Sequence, residues 1–454
     1  MRALLAGILI WVLSHYFGDL KYAIHAFIYG AQSFFLLNFL RQINKRFAII
    51  DFIGLIYFTM YCVAPALMFD LGSQQFFHPM MFGYDILAID PIIYYRFAIG
   101  SSLLLYIGLM TATKSISKDK ILEIKKNLQA NYNLIKIAKL FILIAIASTL
   151  LHGLIGPLNF LFYLGGKLSA LLLILSLFME RKKDRLIYFL IGFSVLFLHS
   201  ARSAMFGEML YMLIFYGLFR GVLYGFSSLL RIIAPIAGIL GVTFLQVFKN
   251  VYRAEIWGGT EAGGLSSFYK TISNLASCVN TDFFLVAING LLFRLNQAYL
   301  SSLTMVQVPN KVPFAKGETL LEALYSFIPR LFWPNKPLLS GRDLMKRYGG
   351  YDPDSFVSMS IGQLGEAYVN FGYVGGAIMI LVYGLILALF LSIIMKKNKI
   401  GKPTILFVPL YFFYAMKAET IFSKVFNYGL KAFVFSLIIL WLIDKFCLKQ
   451  NDIK

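Results

Sequence analysis

The stretch SIGQLGEAYVNFGYVGG, residues 360–376, decides how this chain reads, because it carries a carboxylate straight into an apolar run that continues to residue 395. Just upstream lies FIPRLFWPNKP, residues 327–337, which joins an arginine and a lysine to three prolines and a tryptophan. Each proline ring fixes its own backbone angle and restricts the residue before it, so this segment reads as stiff and extended. Working outward, apolar runs of near-spanning length flank it on both sides.

Composition agrees. Of 454 residues, 59% are hydrophobic and only 14% charged, with a mean hydropathy of +0.73. A soluble domain is typically about 25% charged. The runs are continuous and do not alternate, which points to helices and not to a barrel. The fold class is therefore all-α, a polytopic transmembrane bundle with one large, partly helical external loop. Twelve spans are expected: 3–18, 21–40, 48–70, 91–112, 137–156, 167–180, 186–199, 203–220, 230–249, 361–395, 404–418 and 428–446. The short runs at 167–180 and 186–199 also read as one hairpin that does not fully cross. The chain divides into N-terminal spans (1–249), the external segment (250–360) and C-terminal spans (361–454).

The net charge of +20 is a topology signal more than a nucleic-acid signal. The segment 249–360 holds eleven Lys/Arg against eight Asp/Glu, a net of only +3. The remainder sits mainly in short connections such as Arg41–Lys45–Arg46, Lys114–Lys126, Arg181–Arg185 and Lys396–Lys402. By the positive-inside rule these are cytoplasmic, which places both termini inside and 250–360 outside. The N-terminal run reads as an uncleaved first helix. Cys62, Cys278 and Cys447 have no CxxC spacing, and HExxH, GxSxG and P-loop patterns are absent. No metal and no cofactor is expected.

Within the external segment, 284–306 reads as a helix that dips into or packs on the bilayer, and 317–328 as a short amphipathic helix. GGTEAGGLSSF at 258–268 has a flexible composition. Arg294, inside the first of these helices, needs a partner or an anion. Arg202, in HSARSAMFGE (199–208), sits at an outer span end; it either serves the site or snorkels to headgroups. Lys249 and Arg253 are spaced i, i+4 where a span emerges, a pattern that also fits a plain solvated helix end. Arg330 and Lys336 suit an anion, since a stiff segment loses little entropy on closing and the arginine fork donates two parallel bonds. Gly362, Glu366, Asn370 and Tyr373 form one helical stripe expected to line a cavity. Glu366 reads as a general base whose pKa burial would raise, or as half of a buried ion pair.

FIPRLFWPNKP, a short connector and GQLGEAYVNFGYVGG, together with the large outer loop before the last three spans, resemble the bacterial oligosaccharide repeat-unit polymerases. These are the Wzy-type O-antigen and capsule polymerases. The matching elements are Pro329-Arg330, Trp333-Pro334-Asn335-Lys336-Pro337, Gly365 through Gly372, and the small-Arg-Ser element Ala201–Ser203. The remaining spans resemble that family only in layout. The resemblance implies a GT-C-like integral glycosyltransferase of the bacterial inner membrane. It would transfer a growing glycan from undecaprenyl pyrophosphate onto a lipid-linked repeat unit at the outer face. Arg202, Arg294, Arg330, Lys336 and, more weakly, Arg253 would meet the pyrophosphate. Glu366, Arg330 and Arg202 would form the catalytic set, with Glu366 as base or orienting carboxylate. Preorganised cations would stabilise the leaving group without a metal. The implied partners are lipid-linked donor and acceptor, membrane lipid and a chain-length regulator, with no nucleic acid. The alternatives are an O-antigen ligase, which carries a functional His in its outer loop where this chain has none, and a lipid-linked oligosaccharide flippase, whose outer loops are short.

Overall fold

A computed structural model describes residues 20–72, 86–151, 159–257, 265–276, 281–325, 328, 333, 340–352, 359–399 and 402–449. These residues are all-helical, with only isolated backbone bridges and no strand among them. Eight helices are long and apolar enough to cross a membrane. They are α1 (Leu20–Gln42), α2 (Ile49–Leu71, with a π-turn at Thr59–Val63), α3 (Pro91–Met110) and α5 (Leu134–Leu151). The others are α6 (Asn159–Ser176), α7 (Lys182–Ser203), α9 (Ser228–Trp257) and α15 (Gly362–Lys399). Between these lies α4 (Lys118–Asn131), which buries Ile121, Ile124 and Leu128 at helical spacing inside a connection that charge alone had marked as polar. The helices α8 (Gly207–Tyr224) and α17 (Phe422–Cys447) also have the length but are not among the eight; they carry Glu208 and Arg220, and Lys424, Lys431, Asp444 and Lys445, respectively.

Solvent-like exposure of Ile232, Ile233, Ile236, Ile239 and Leu240 on α9 leaves a wide apolar face that only lipid would cover. The chain is thus a multi-pass membrane protein. Runs 167–180 and 186–199 form two full helices, α6 and α7, and not a half-crossing hairpin. The first expected span, 3–18, lies outside the described residues.

The segment expected to be external follows α9, which continues past 249 to Trp257. It comprises α10 (Leu265–Ala276), α11 (Thr281–Leu295), α12 (Gln297–Gln307), α13 (Glu318–Tyr325) and α14 (Gly341–Gly349). The expected 284–306 helix is a pair bent by 43°, and counting it as one span would raise the eight candidates to nine. The bend falls at Asn296, whose side chain accepts from Tyr299 N–H and donates to the Ile86 carbonyl. Asparagine favours such caps because it competes with the helix for backbone bonds.

Residues 402–421 do not form one helix. They contain a 3-10 turn (Thr404–Phe407), the short α16 (Val408–Phe412) and further turns. At one end Lys402 pairs with Asp444 near the C-terminus of α17 at 3.4 Å, and at the other Ala418 sits beside the start of α15. The segment therefore runs the length of the bundle. Residues 403–413 are buried throughout. Irregular backbone is tolerated at such depth only when protein surrounds it, which explains why an apolar run of spanning length is not a helix.

The basic connections all meet at one end of the bundle. Arg46 bridges Ser117, Asn44 bonds both backbone groups of Phe226, Gln129 donates to the Phe178 carbonyl, and Asn133 N–H reaches the Cys447 carbonyl. Two features fix α15 in place. A Cβ at Gly384 would fall 2.6 Å from the Leu105 carbonyl oxygen, so α3 and α15 cross backbone to backbone, as small residues allow in membranes. Gly372 has φ 68° and ψ −157°, a conformation open essentially to glycine, and it breaks α15 into two segments.

Candidate functional site

The first half of α15 is a polar hub. Gln363, Glu366 and Asn370 are all essentially fully buried. They are closed off from solvent and do not open onto a surface cleft. Asn370 accepts from Gly317 N–H at 2.9 Å and donates to Thr319 at 2.8 Å, so it docks the loop before α13. Tyr373 lies beyond the Gly372 break, off the stripe, and is exposed. Tyr57 and Tyr61, from α2, donate to Gln363 and to the Ala418 carbonyl. The Glu366 carboxylate accepts from Phe422 N–H at 2.7 Å, at the first residue of α17. A carboxylate there satisfies an otherwise orphaned helix donor and meets the positive end of the helix dipole.

What this hub holds is the turn 415–424, AMKAETIFSK, and the turn carries charge. Glu419 lies 3.8 Å from Arg294 at the end of α11. Lys417 sits over the rings of Phe413 (4.1 Å), Tyr211 (5.0 Å) and Tyr414 (5.1 Å), and Lys424 over Tyr414 (5.0 Å). Such ring faces attract a cation without neutralising it. On α9, Lys249 and Arg253 lie within electrostatic range of Arg294. Lys167 of α6 pairs with Glu208 of α8, and Glu208 in turn is within range of Lys417. The charges therefore form one connected cluster at the end of the bundle opposite the basic connections. Among the described residues it brings together the cations Lys167, Lys249, Arg253, Arg294, Lys417 and Lys424 and the carboxylates Glu208 and Glu419. Arg294 keeps 53% of its side-chain surface and Glu419 24%, so their pair is loose and open to a ligand. The second oxygen of Glu419, Oε2, is buried and meets no donor among the described residues.

The residues singled out from sequence distribute as follows. Arg294 and Arg253 are in the cluster. Arg202 is exposed in the last turn of α7, beside it: the adjoining carbonyls of Ala201 and Ala204 accept from Tyr252 and Arg253. Glu366 lies under the cluster, as the anchor of the turn that presents Lys417 and Glu419. Arg330 and Lys336 lie outside the described residues. Lys167, Glu208, Lys417, Glu419 and Lys424 escaped sequence reading as site residues. The signal for the last three is MKAETIFSK itself, three charges in nine residues between two apolar runs.

Three other cations of the segment 250–360 meet carboxylates locally. Arg347 bonds Glu318 through two parallel 2.9 Å contacts. Lys346 bonds Asp352 at 2.6 Å, and Arg342 lies 3.6 Å from the same carboxylate. The Lys346 bond holds the Asp352 carboxyl below its usual range, against the opposing pull of desolvation. Among the described residues no group of three or more His, Cys, Asp or Glu stands close enough to hold a metal.

Fold and cluster together define a multi-pass helical membrane protein with a cationic, aromatic-walled site at one end of its bundle. The chain belongs to the family described as Domain of unknown function (DUF8712), whose family model matches residues 86–454. No curated protein and no solved structure matches it.

Proposed function

We propose that the chain is an integral membrane glycosyltransferase, a Wzy-type, GT-C-like polymerase of the bacterial inner membrane. It would take a growing glycan from undecaprenyl pyrophosphate and add it to a lipid-linked repeat unit at the outer face. The observation that carries this reading is the gathering of Arg294, Lys249, Lys417 and Lys424 about the ring-lined turn 415–424, with Arg294 half exposed. An acceptor hydroxyl attacks the anomeric carbon, the bond to the lipid pyrophosphate breaks, and negative charge grows on the departing phosphate oxygens. Cations already held in place by Tyr57, Tyr61, Gln363 and Glu366 stabilise that charge without reorganising. In this scheme Arg294, Arg253, Lys249 and Lys417 face the pyrophosphate, with Arg202 beside them; Arg330 and Lys336 join the set on the sequence resemblance alone. Glu419, whose Oε2 is buried without a donor among the described residues, accepts the hydroxyl proton. Glu366 is a positioning residue.

The twelve-span topology belongs to the same proposal. Adding residues 3–18, α8, the buried segment 404–418 and residues 428–446 to the eight apolar helices gives twelve crossings. Both termini then lie on the basic, cytoplasmic side and the cluster on the outer side.

Purified protein supplied only with undecaprenyl-pyrophosphate repeat unit should yield a ladder of longer lipid-linked glycans, without nucleotide sugar. Arg294→Ala should abolish the ladder while preserving expression, and Arg294→Lys should impair it because the planar fork is lost. No ladder from wild-type protein with the correct substrate overturns the proposal. Transfer that requires an added lipid A core acceptor would favour the ligase reading.

A further inference from the structure

A second cationic site lies at the opposite end of α8 from Glu208. Glu208 and Tyr224 are sixteen positions apart on that helix, about 24 Å at 1.5 Å per residue. There a cavity of about 370 Å³ opens between α6, α7 and α8, and its walls include Lys182, Arg185, Phe189, Tyr216, Arg220 and Tyr224. Three cations converge on the single ring of Tyr224: Lys125 Nζ at 4.3 Å, Arg185 Cζ at 5.0 Å and Arg220 Cζ at 5.2 Å. The ring is itself pinned, since its hydroxyl donates to the Leu177 carbonyl and accepts from Lys125.

Among the described residues, none of Lys182, Arg185 and Arg220 pairs with a carboxylate. Each guanidinium spends one donor on a backbone carbonyl, Arg185 on Glu180 at 3.1 Å and Arg220 on Gly225 at 2.7 Å. Those bonds orient the two forks and leave further donors available, because each guanidinium carries five. The Arg185 Nε is buried without a partner among the described residues. Like charges held this close repel one another, and an anion between them removes the cost. Arginine pairs suit a phosphate group, whose oxygens match the fork.

The mouth of the cavity adds a second requirement. Leu186, Ile187 and Leu190 continue outward along α7 and are 59%, 40% and 49% exposed. A ligand that places phosphate against Arg185 and Arg220 would lay any attached chain along these residues. We propose that this cavity is a phosphate site at the basic end of the bundle, occupied by the headgroup of an anionic phospholipid. It is distinct from the glycan cluster and does not depend on the polymerase reading. Juxtamembrane cation clusters bind anionic headgroups by the same electrostatics.

The test uses the full chain, purified in a neutral detergent and stripped of lipid. Short-chain phosphatidylglycerol, short-chain phosphatidylcholine and inorganic phosphate are titrated separately, with binding read by native mass spectrometry and by thermal shift. Wild-type protein should bind phosphatidylglycerol saturably and phosphatidylcholine far more weakly. Arg220→Gln should weaken phosphatidylglycerol binding roughly tenfold or more. Lys182→Gln alters an exposed side chain, so it should fold normally and still lose affinity. Phosphatidylglycerol binding that inorganic phosphate does not displace identifies the lipid as occupant. Equal competition by inorganic phosphate retains the phosphate site and overturns the lipid assignment. Equal affinity for both lipids, or unchanged affinity in Lys182→Gln and Arg220→Gln, overturns the site itself.

Discussion

Replacing Glu366 separates two roles that a buried carboxylate near a reaction centre can play. In the structure Glu366 Oε2 accepts the Phe422 N–H at 2.7 Å with both residues buried. Glu366→Ala orphans that donor. A buried donor without a partner costs about 1–3 kcal/mol, and loss of a helix cap about 0.5–2 kcal/mol. The larger range applies, because Glu366 is 0% exposed and water does not replace the lost bond. Local opening of the turn should then become about 5- to 150-fold more frequent. Hydrogen–deuterium exchange of peptides covering 415–424 reads this directly. Glu366→Gln keeps a carbonyl oxygen for Phe422 and loses only the charge, worth about 0.3–1 kcal/mol at a helix N-terminus and up to ~2 kcal/mol when partly buried. Exchange should therefore rise far less in Gln than in Ala. In the glycan-ladder assay Gln should retain activity within roughly tenfold, whereas loss of a general base costs about 10²–10⁴. A Gln variant with wild-type exchange at 415–424 and activity down a hundredfold would refute the positioning role and make Glu366 the base.

Other perturbations address the frame around the site. Lys167→Met should destabilise by about 3–5 kcal/mol, since it strands Glu208, only 16% exposed; the Lys167→Met/Glu208→Leu double variant should recover most of that loss in a double-mutant cycle read by thermal unfolding. Gly372→Ala should cost about 1–3 kcal/mol, because alanine does not populate φ 68°, ψ −157°, and the loss should appear with raised exchange in residues 315–319, which Val369 and Asn370 hold. Gly384→Ala should cost a comparable ~1–3 kcal/mol by forcing α3 and α15 apart; unchanged thermal stability would contradict the close crossing. Asp352 has a lowered pKa, so the contact it makes with Lys346 is fully present above the ordinary aspartate value of about 4 and is lost as pH falls through the lowered one. Exchange of α14 amides should rise on acidification below about pH 4 in wild-type protein, and Asp352→Asn should remove that pH dependence.

How much of this was legible in the sequence depends on which interaction fixes each element. The span-length helices α1, α2, α3, α5, α6, α7, α9 and α15 follow from continuous apolar runs, because length and hydropathy are local properties. The gathering of basic connections at one end follows from their charge. The segment 404–418 has the composition of a span, yet it is not a helix. Its backbone is satisfied by neighbours that only the assembled bundle supplies, such as Tyr57, Tyr61 and Gln363. The polar stripe on α15 was visible as a stripe, but its purpose was not. Periodicity places Glu366 and Asn370 on one face and says nothing of what fills the space beside them. The turn 415–424 and the 315–319 loop pack there, from 49 to 58 residues away in the chain for Glu366 and about 50 for Asn370. The same reason hid Lys417 and Glu419. Read locally they are two of three charges in a short connection, which is ordinarily a solvated turn. They become a site because Glu366 caps the helix that follows them, which points the turn at Arg294. The motif that drew attention in the sequence thus acts one step removed from the charge it positions, and this is why substitutions in GQLGEAYVN should move the site's geometry before they touch its chemistry.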